Sequence, residues 1–251
     1  MSELPSGLAM VWAQRSRPEA EPRTGLSRGR IVAAAIELAD ADGLGALSMS
    51  KVAARLGFTT MSLYRHVRSK DELILLMQDA AVGAPTAQAE PAGGWRAELE
   101  WWAWEVLARF RAHPWILQTI PMLGPPATPN QLSWLERGLR ALGATPLTEA
   151  EKLSTMLLID AHVLSDLQFA AFEKPTADVA VRPDSYRTML SSVLDPQRFP
   201  ALLRAVEGGA FDPGEDPAAD RDADFAFGLA RILDGIESLL RQRAKGGRPS
   251  R

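Results

Sequence analysis

The sequence predicts an all-α fold in two parts, a small three-helix head followed by a larger helical bundle. Three observations carry that expectation. Apolar residues recur at helical spacing through most of the 251 residues, and no stretch shows the alternation of a half-buried strand. Capping-box patterns open two helices, at Ser69-x-x-Glu72 and Thr148-x-x-Glu151. Charge is also unevenly placed. The chain carries −3 overall, yet Arg23 to Lys70 holds eight Lys/Arg against three acidic residues. A basic head on an acidic body marks a protein that meets a polyanion with one end.

Residues 1–26 contain Pro5, Pro18 and Pro22, mixed charges and one apolar knot at Met10-Val11-Trp12, and are expected to be disordered. Arg23 and Arg28 stand just before the first helix, either as a solvated tail or as an arm reaching phosphates. Arg28 to Asp42 is the first predicted helix, with Ile31, Ala35, Leu38 and Ala39 inward and Gly43 as its stop.

Ser48 is an N-cap for a helix in which Val52, Ala53 and Leu56 share one face, ended by Gly57. Thr59 caps the next helix, predicted over Thr60 to Val67. Leu63 and Val67 form its inward edge; Thr60, Met61, Ser62, Tyr64, Arg65 and His66 face outward. Two helices on a tight turn, the second short and carrying hydroxyls, an aromatic ring and a cation, suit entry into a DNA major groove. Ser69 then opens a helix through Leu73, Ile74 and Met77. The head is bounded at 27–82.

A loop rich in Gly, Ala and Pro leads to the body, bounded at 94–243. Trp95 to Ala112 is a long helix whose Trp95, Leu99, Trp102, Val106 and Phe110 lie on one stripe, with Trp101 and Trp104 on the other side. Aromatic residues on both sides place it in the middle of a bundle, where it can pack on one side and wall a cavity on the other. His113-Pro114 ends it. An irregular, Pro-rich passage is expected from Trp115 to Pro129, then a helix over Gln131–Leu142 carrying Trp134.

Thr148 to Glu173 is the longest predicted helix. Met156, Asp160, Val163 and Leu167 share one face; His162, Ser165, Phe169 and Phe172 lie on the other. Asp160 is thus a carboxylate within an apolar stripe, a costly position unless it is paired or binds something. Shorter helices are expected at 184–194 and 199–207, with loops around them. The last helix runs from Ala218 to about Arg243 with Phe225, Leu229, Ile232, Ile236 and Leu239 in step, and Gly228 and Gly235 one heptad apart along its margin. Glycine inside a helix costs about 1 kcal/mol, and close approach of another helix is the compensating gain. The tail, 244–251, is expected to be disordered.

Absent chemistry narrows the function. Zero cysteines exclude disulfides and thiolate metal sites. No apolar run approaches the roughly 18 residues of a membrane span, and the N-terminal residues lack the basic leader of a signal peptide. A cytoplasmic location is therefore expected, on the nucleoid when bound to DNA. Only three histidines occur, and there is no nucleophile elbow, phosphate loop or paired-histidine metal pattern. Neither catalysis nor a cofactor or resident metal is expected.

The run D-G-L-G-A-L-S-M-S-K-V-A-A-R-L-G-F-T-T-M-S-L-Y-R-H-V-R-S-K-D-E-L, Asp42 to Leu73, resembles the DNA-binding domain of the tetracycline-repressor (TetR) family of bacterial transcriptional regulators. The likeness extends over about Leu26 to Ala81. It implies a helix-turn-helix head and a C-terminal effector-binding domain that dimerises through its last two long helices, here Thr148–Glu173 and Ala218–Arg243. Tyr64 and Lys70 match positions that contact phosphates in that family, and Thr60, Met61, Ser62 and Arg65 occupy base-facing ones. Arg65 is either a bidentate guanine reader or a phosphate contact; His66 is a phosphate donor or a packing residue. Arg28, Ser48 and Thr59 complete the DNA-facing set, with Ser50 where some relatives carry a base-reading arginine. His113 falls near the position where the tetracycline-binding member ligates a drug-bound magnesium ion, and is read here as a pocket wall.

The expected whole is a homodimeric regulator, a repressor on a palindromic operator in double-stranded DNA. A small apolar or aromatic effector releases it by entering among Trp102, Trp104, Phe110, His113, Trp134, Met156, Asp160 and Phe169. His162, Phe172, Gly228, Ile232, Gly235 and Leu239 are expected at the dimer contact. The alternatives are a DNA-binding dimer of the same fold without a small-molecule effector, and a helical carrier or hydrolase with a vestigial head.

Overall fold

The computed structural model describes residues 6–16, 25–86, 93–172, 183–212 and 216–246. It is helical throughout, with no strand among the described residues. By contact the chain divides into two units, Met1–Leu157 and Leu158–Arg251.

The first unit opens with a helix the sequence was not expected to form. α1, Ser6–Ser16, stands where residues 1–26 read as disordered. Its apolar knot explains the difference. Val11 is buried and the Trp12 indole N–H donates to the Ala127 carbonyl at 3.1 Å, so a segment too weak to fold alone is held by a tertiary surface. The rest of the N-terminal extension, 1–5 and 17–24, lies outside the described residues.

The head follows as α2 (Arg28–Asp42), α3 (Met49–Leu56), α4 (Thr60–Tyr64) and α5 (Lys70–Val82). Each start is capped by the side chain that the sequence offers. Ser27 accepts from the Arg30 amide, Ser48 from Lys51, Thr59 from Ser62 and Ser69 from Glu72. Gly57 takes the left-handed conformation, φ 74°, that ends α3. The predicted capping box at Ser69 closes one residue early on its return side: the Glu72 carboxylate accepts from the Arg68 amide at 2.8 Å. Ile31, Val52, Leu63, Val67, Leu73 and Met77 are fully enclosed at the centre.

α6 (Gly94–Ala112), α7 (Ile116–Leu123), α8 (Pro129–Ala141) and the first turns of α9 (Glu149–Phe172) complete this unit. α7 occupies the passage expected to be irregular. Pro114 stands just ahead of it, where a missing N–H would be unpaired anyway, and Pro121 removes one bond of the ladder without ending it. Gly124, at φ 75°, closes the helix. α8 starts two residues before its predicted Gln131, because Gln131 serves as the far half of a capping box with Thr128.

In the second unit α9 continues from Leu158, followed by α10 (Pro183–Val193), α11 (Pro200–Glu207) and α12 (Pro217–Gly246). α12 extends through residues 244–246, which were assigned to a disordered tail; 247–251 lie outside the described residues. Near its start the chain crosses α9 closely. The His162 ring stacks on Phe225 at 4.7 Å, and its Nε2 lies 2.9 Å from the Phe225 carbonyl. A side chain on Gly228 would run into that ring. The glycine therefore answers to a neighbour within the subunit. Gly228→Ala is expected to destabilise the protein by about 1–3 kcal/mol, read as a fall in the urea midpoint, because the ring is anchored and cannot step aside.

Candidate nucleic-acid interface

α4 is five residues long, shorter than its predicted span to Val67: after Tyr64 the chain finishes in a turn in which the His66 and Val67 amides both donate to the Leu63 carbonyl. Leu63, near the end of α4, and Val67, three residues beyond it, are fully buried and anchor its exit. The other face is open to solvent: Met61 is 74% exposed, and Tyr64, Arg65 and Lys70 are exposed with it. Thr60, Ser62 and His66 are half-buried.

Hydrogen bonds sort the remaining predicted contacts. The Ser62 hydroxyl lies 2.9 Å from that of Thr59, and Ser48 and Ser50 pair similarly at 3.0 Å. These hydroxyls brace the helix starts while keeping lone pairs for a partner. Arg28 places its Nε 3.2 Å from the His66 carbonyl, so it supports the end of the recognition helix directly. Arg55 pairs with Glu37 at 2.7 Å, bracing α3 against α2. A short exposed helix with a methionine, a tyrosine and an arginine, locked from behind, fits a groove whose edges carry hydrogen-bond acceptors and thymine methyls.

The residues expected to line an effector pocket divide between the two units. In the first, Trp102, Trp134 and Met156 form packed core. The Trp102 indole N–H donates to the Trp134 carbonyl at 2.8 Å, and the two rings meet edge-on at 6.3 Å. The Met156 thioether fills the space left by the missing side chain of Gly138. Phe110 is buried and Trp104 half-buried. His113 is not turned toward these residues: its Nδ1 lies 2.9 Å from Asp40 Oδ1 on α2, and Trp115 Nε1 donates to the same oxygen at 2.7 Å. Sequence reasoning missed Asp40 and Trp115, because nothing local marks a contact spanning more than seventy residues.

In the second unit Phe169 is exposed and Asp160 half-buried. Desolvation raises the Asp160 carboxyl from 3.8 to about 6. Cavities of about 440, 290 and 500 Å³ line the first unit, walled chiefly by α1, α2, α5 and α8, by α6 and α8, and by α1, α5 and α7. None of the eight predicted pocket residues borders them. Of the dimer set, His162 and Gly228 meet each other, Ile232 is half-buried, and Gly235 has open space before it with Leu239 exposed beyond. The Phe172 side chain lies outside the described residues. No cluster of His, Cys, Asp or Glu able to hold a metal ion occurs among the described residues, and none of the described helices is long and apolar enough to cross a membrane.

A helix-turn-helix head ahead of a larger helical domain defines a DNA-binding transcriptional regulator, not an enzyme. Residues 31–77 match the family model of bacterial regulatory proteins of the tetR family, and residues 87–240 match the tetracyclin repressor-like C-terminal domain. The chain belongs to the TetR family. It is 38% identical to the HTH-type transcriptional repressor DrrR1 of Streptomyces coeruleorubidus, over 94% of this chain and 86% of that one. An HTH-type transcriptional regulator of Saccharopolyspora erythraea is 34% identical over 60% of this chain and 64% of its own. Among solved structures, ActR of Streptomyces coelicolor in complex with actinorhodin superposes with a TM-score of 0.71 at 25% identity, covering 86% of this chain and 98% of that one.

Two outcomes are expected for DNA binding and one for stability. Tyr64→Ala weakens binding to every duplex by about tenfold, the worth of one charge-assisted bond. Arg65→Ala instead relaxes preference at a single base position, by about 1–3 kcal/mol; titrations against a panel of single-base operator variants separate the two. For Asp160 the folded carboxyl holds its proton above the pH at which the unfolded one loses it, so stability falls as pH rises from about 4 through 6. Asp160→Asn removes that loss. It should stabilise the protein by about 1–2 kcal/mol at pH 7.5, after allowance for partial exposure, and by nothing at pH 4, as thermal melts at the two pH values would show.

Proposed function

We propose that the protein is a homodimeric repressor. It binds a palindromic operator through two copies of α4 and is released by a small apolar or aromatic effector. The observation that carries this reading is the recognition helix, with Met61, Tyr64 and Arg65 projecting while Leu63 and Val67 are enclosed. One such helix spans only a few base pairs, so useful affinity needs a second at a fixed distance, about 34–36 Å along the duplex. The open stripe of α12 around Ile232, Gly235 and Leu239, together with α9, is the surface for that pairing. DrrR1 is named as a repressor, which supports the sign of regulation.

The effector reading rests on the body. ActR binds actinorhodin, which supports a ligand-responsive C-terminal domain here as well. The tight packing of Trp102, Trp134 and Met156 directs the search to the second unit and to the face of α9 that carries Asp160. Asp160 has no hydrogen-bond partner among the described residues, and a ligand that donates to its carboxylate would relieve the desolvation that raises its pKa. Release then requires only that the ligand bind more tightly to the state whose heads no longer match two half-sites.

The test is a gel shift on the intergenic DNA upstream of the gene, repeated with aromatic compounds. The wild-type protein should retard one fragment selectively, and at least one compound should abolish the shift. Leu239→Glu with Ile232→Glu should yield a monomer by sedimentation and lose the shift. A double variant that stays dimeric, or a monomer that still binds selectively, would remove the pairing surface from this account.

A further inference from the structure

The end of α5 and the residues after it are gripped by α8 through three rungs at constant register. Asn130 donates its amide to Asp79 Oδ1 at 2.9 Å, and its Nδ2 to the Asp79 carbonyl at 2.9 Å and to Oδ2 at 3.1 Å. Trp134 Nε1 donates to the Gly83 carbonyl at 2.9 Å, and Arg137 Nη1 to the Thr86 carbonyl at 2.7 Å. Each donor lies 51 residues beyond its acceptor. Donors and acceptors alike advance by four and then three residues, so two segments run side by side in the same direction and in register. On α8 that spacing puts the three donors on one face. The acceptors include main-chain carbonyls at and beyond a helix end, where intrahelical partners run out.

The middle rung is fixed from behind by α6. Trp101 stacks on the Trp134 ring at 5.8 Å, and the Arg109 guanidinium sits 4.5 Å from its centroid. Trp102 holds the Trp134 carbonyl. The last rung is fixed by Glu98, paired with Arg137 at 2.6 Å and nearly enclosed, while Arg137 lies over Trp101 at 3.8 Å. A donor held on several sides cannot follow a wandering acceptor, so the acceptor must stay where the donor is.

We infer that Asn130, Trp134 and Arg137 are positioning residues that set where the head stands relative to α6 and α8, and hence which half-site spacing the dimer accepts. This rests on the reading of the protein as a two-headed operator binder. Because all three rungs share one register, an axial slide of α8 carries the end of α5 with it. Removing rungs frees the head without touching any residue that faces DNA.

The experiment begins with selection of duplexes by the wild-type dimer from a random library, followed by insertion of 2 bp between the half-sites of the winner. The variants are Trp134→Phe, which keeps an aromatic ring and removes the donor, and Asn130→Ala, a milder change near the start of α8. Both should bind the isolated half-site as the wild type does, and lose about tenfold of the discrimination between native and expanded spacing. Hydrogen exchange of the amides around Gly83–Thr86 should rise in both, with melting curves confirming a folded dimer. A wild-type operator with spacing preference unchanged in both folded variants overturns the inference alone. Failure of the wild-type protein to select any duplex overturns the operator reading, and this inference with it.

Discussion

A recognition helix of five residues cannot hold itself in place. One turn of backbone bonding is far below the length at which a helix is stable in water, so the position of α4 depends on Leu63 and Val67 being enclosed in the core of the head and on its packing against α3. Everything on the DNA-facing side follows from that enclosure. With the two anchors turned inward, Met61, Tyr64 and Arg65 project into solvent, while Thr60, Ser62 and His66 stay half-buried. Thr59 and Gly57 set the entry angle, and Arg28 fixes the exit by holding the His66 carbonyl. The surface is precise because it is thin, with each exposed residue one bond or one turn from an anchored one.

The head is then joined to the rest of its unit by directional bonds as well as apolar contact. On α2, Asp40 accepts from His113 and Trp115. On α5 and just beyond it, Asp79, Gly83 and Thr86 accept from α8. Two separated attachments fix an orientation where one would leave a pivot. By contact, head, α6 to α8 and the first turns of α9 therefore form one unit, while the loop between head and body separates the two family matches, 31–77 and 87–240.

The head was legible almost residue by residue. Ser48, Gly57, Thr59 and Ser69 act within three or four residues of themselves, and such signals survive in a bare sequence. The heptad of apolar residues on α12 was legible for the same reason. Two segments were misread, α1 and α7, because their stability comes from surfaces supplied by remote parts of the chain. The side chains expected to line a pocket were less legible still. Aromatic residues at helical spacing serve packing and ligand binding equally well, and only the three-dimensional contacts, the Trp102–Trp134 hydrogen bond and the Met156 thioether against Gly138 among them, reveal that these residues are packed. His113 was read as a pocket wall, but its partner lies on α2. Gly228 was legible as a close approach; that its neighbour is His162 of the same subunit was not.

The register between α8 and the end of α5 has a consequence for building hybrid regulators. Two of its rungs, at Gly83 and Thr86, are received by main-chain carbonyls, and only Asp79 contributes a side chain. At this junction the body grips mainly the polypeptide and not its particular residues. Heads of foreign specificity can be exchanged onto it, provided the splice falls beyond Thr86, no residue is gained or lost between Asp79 and Thr86, and carboxylates are kept at the places of Asp79 and of Asp40, which His113 and Trp115 hold.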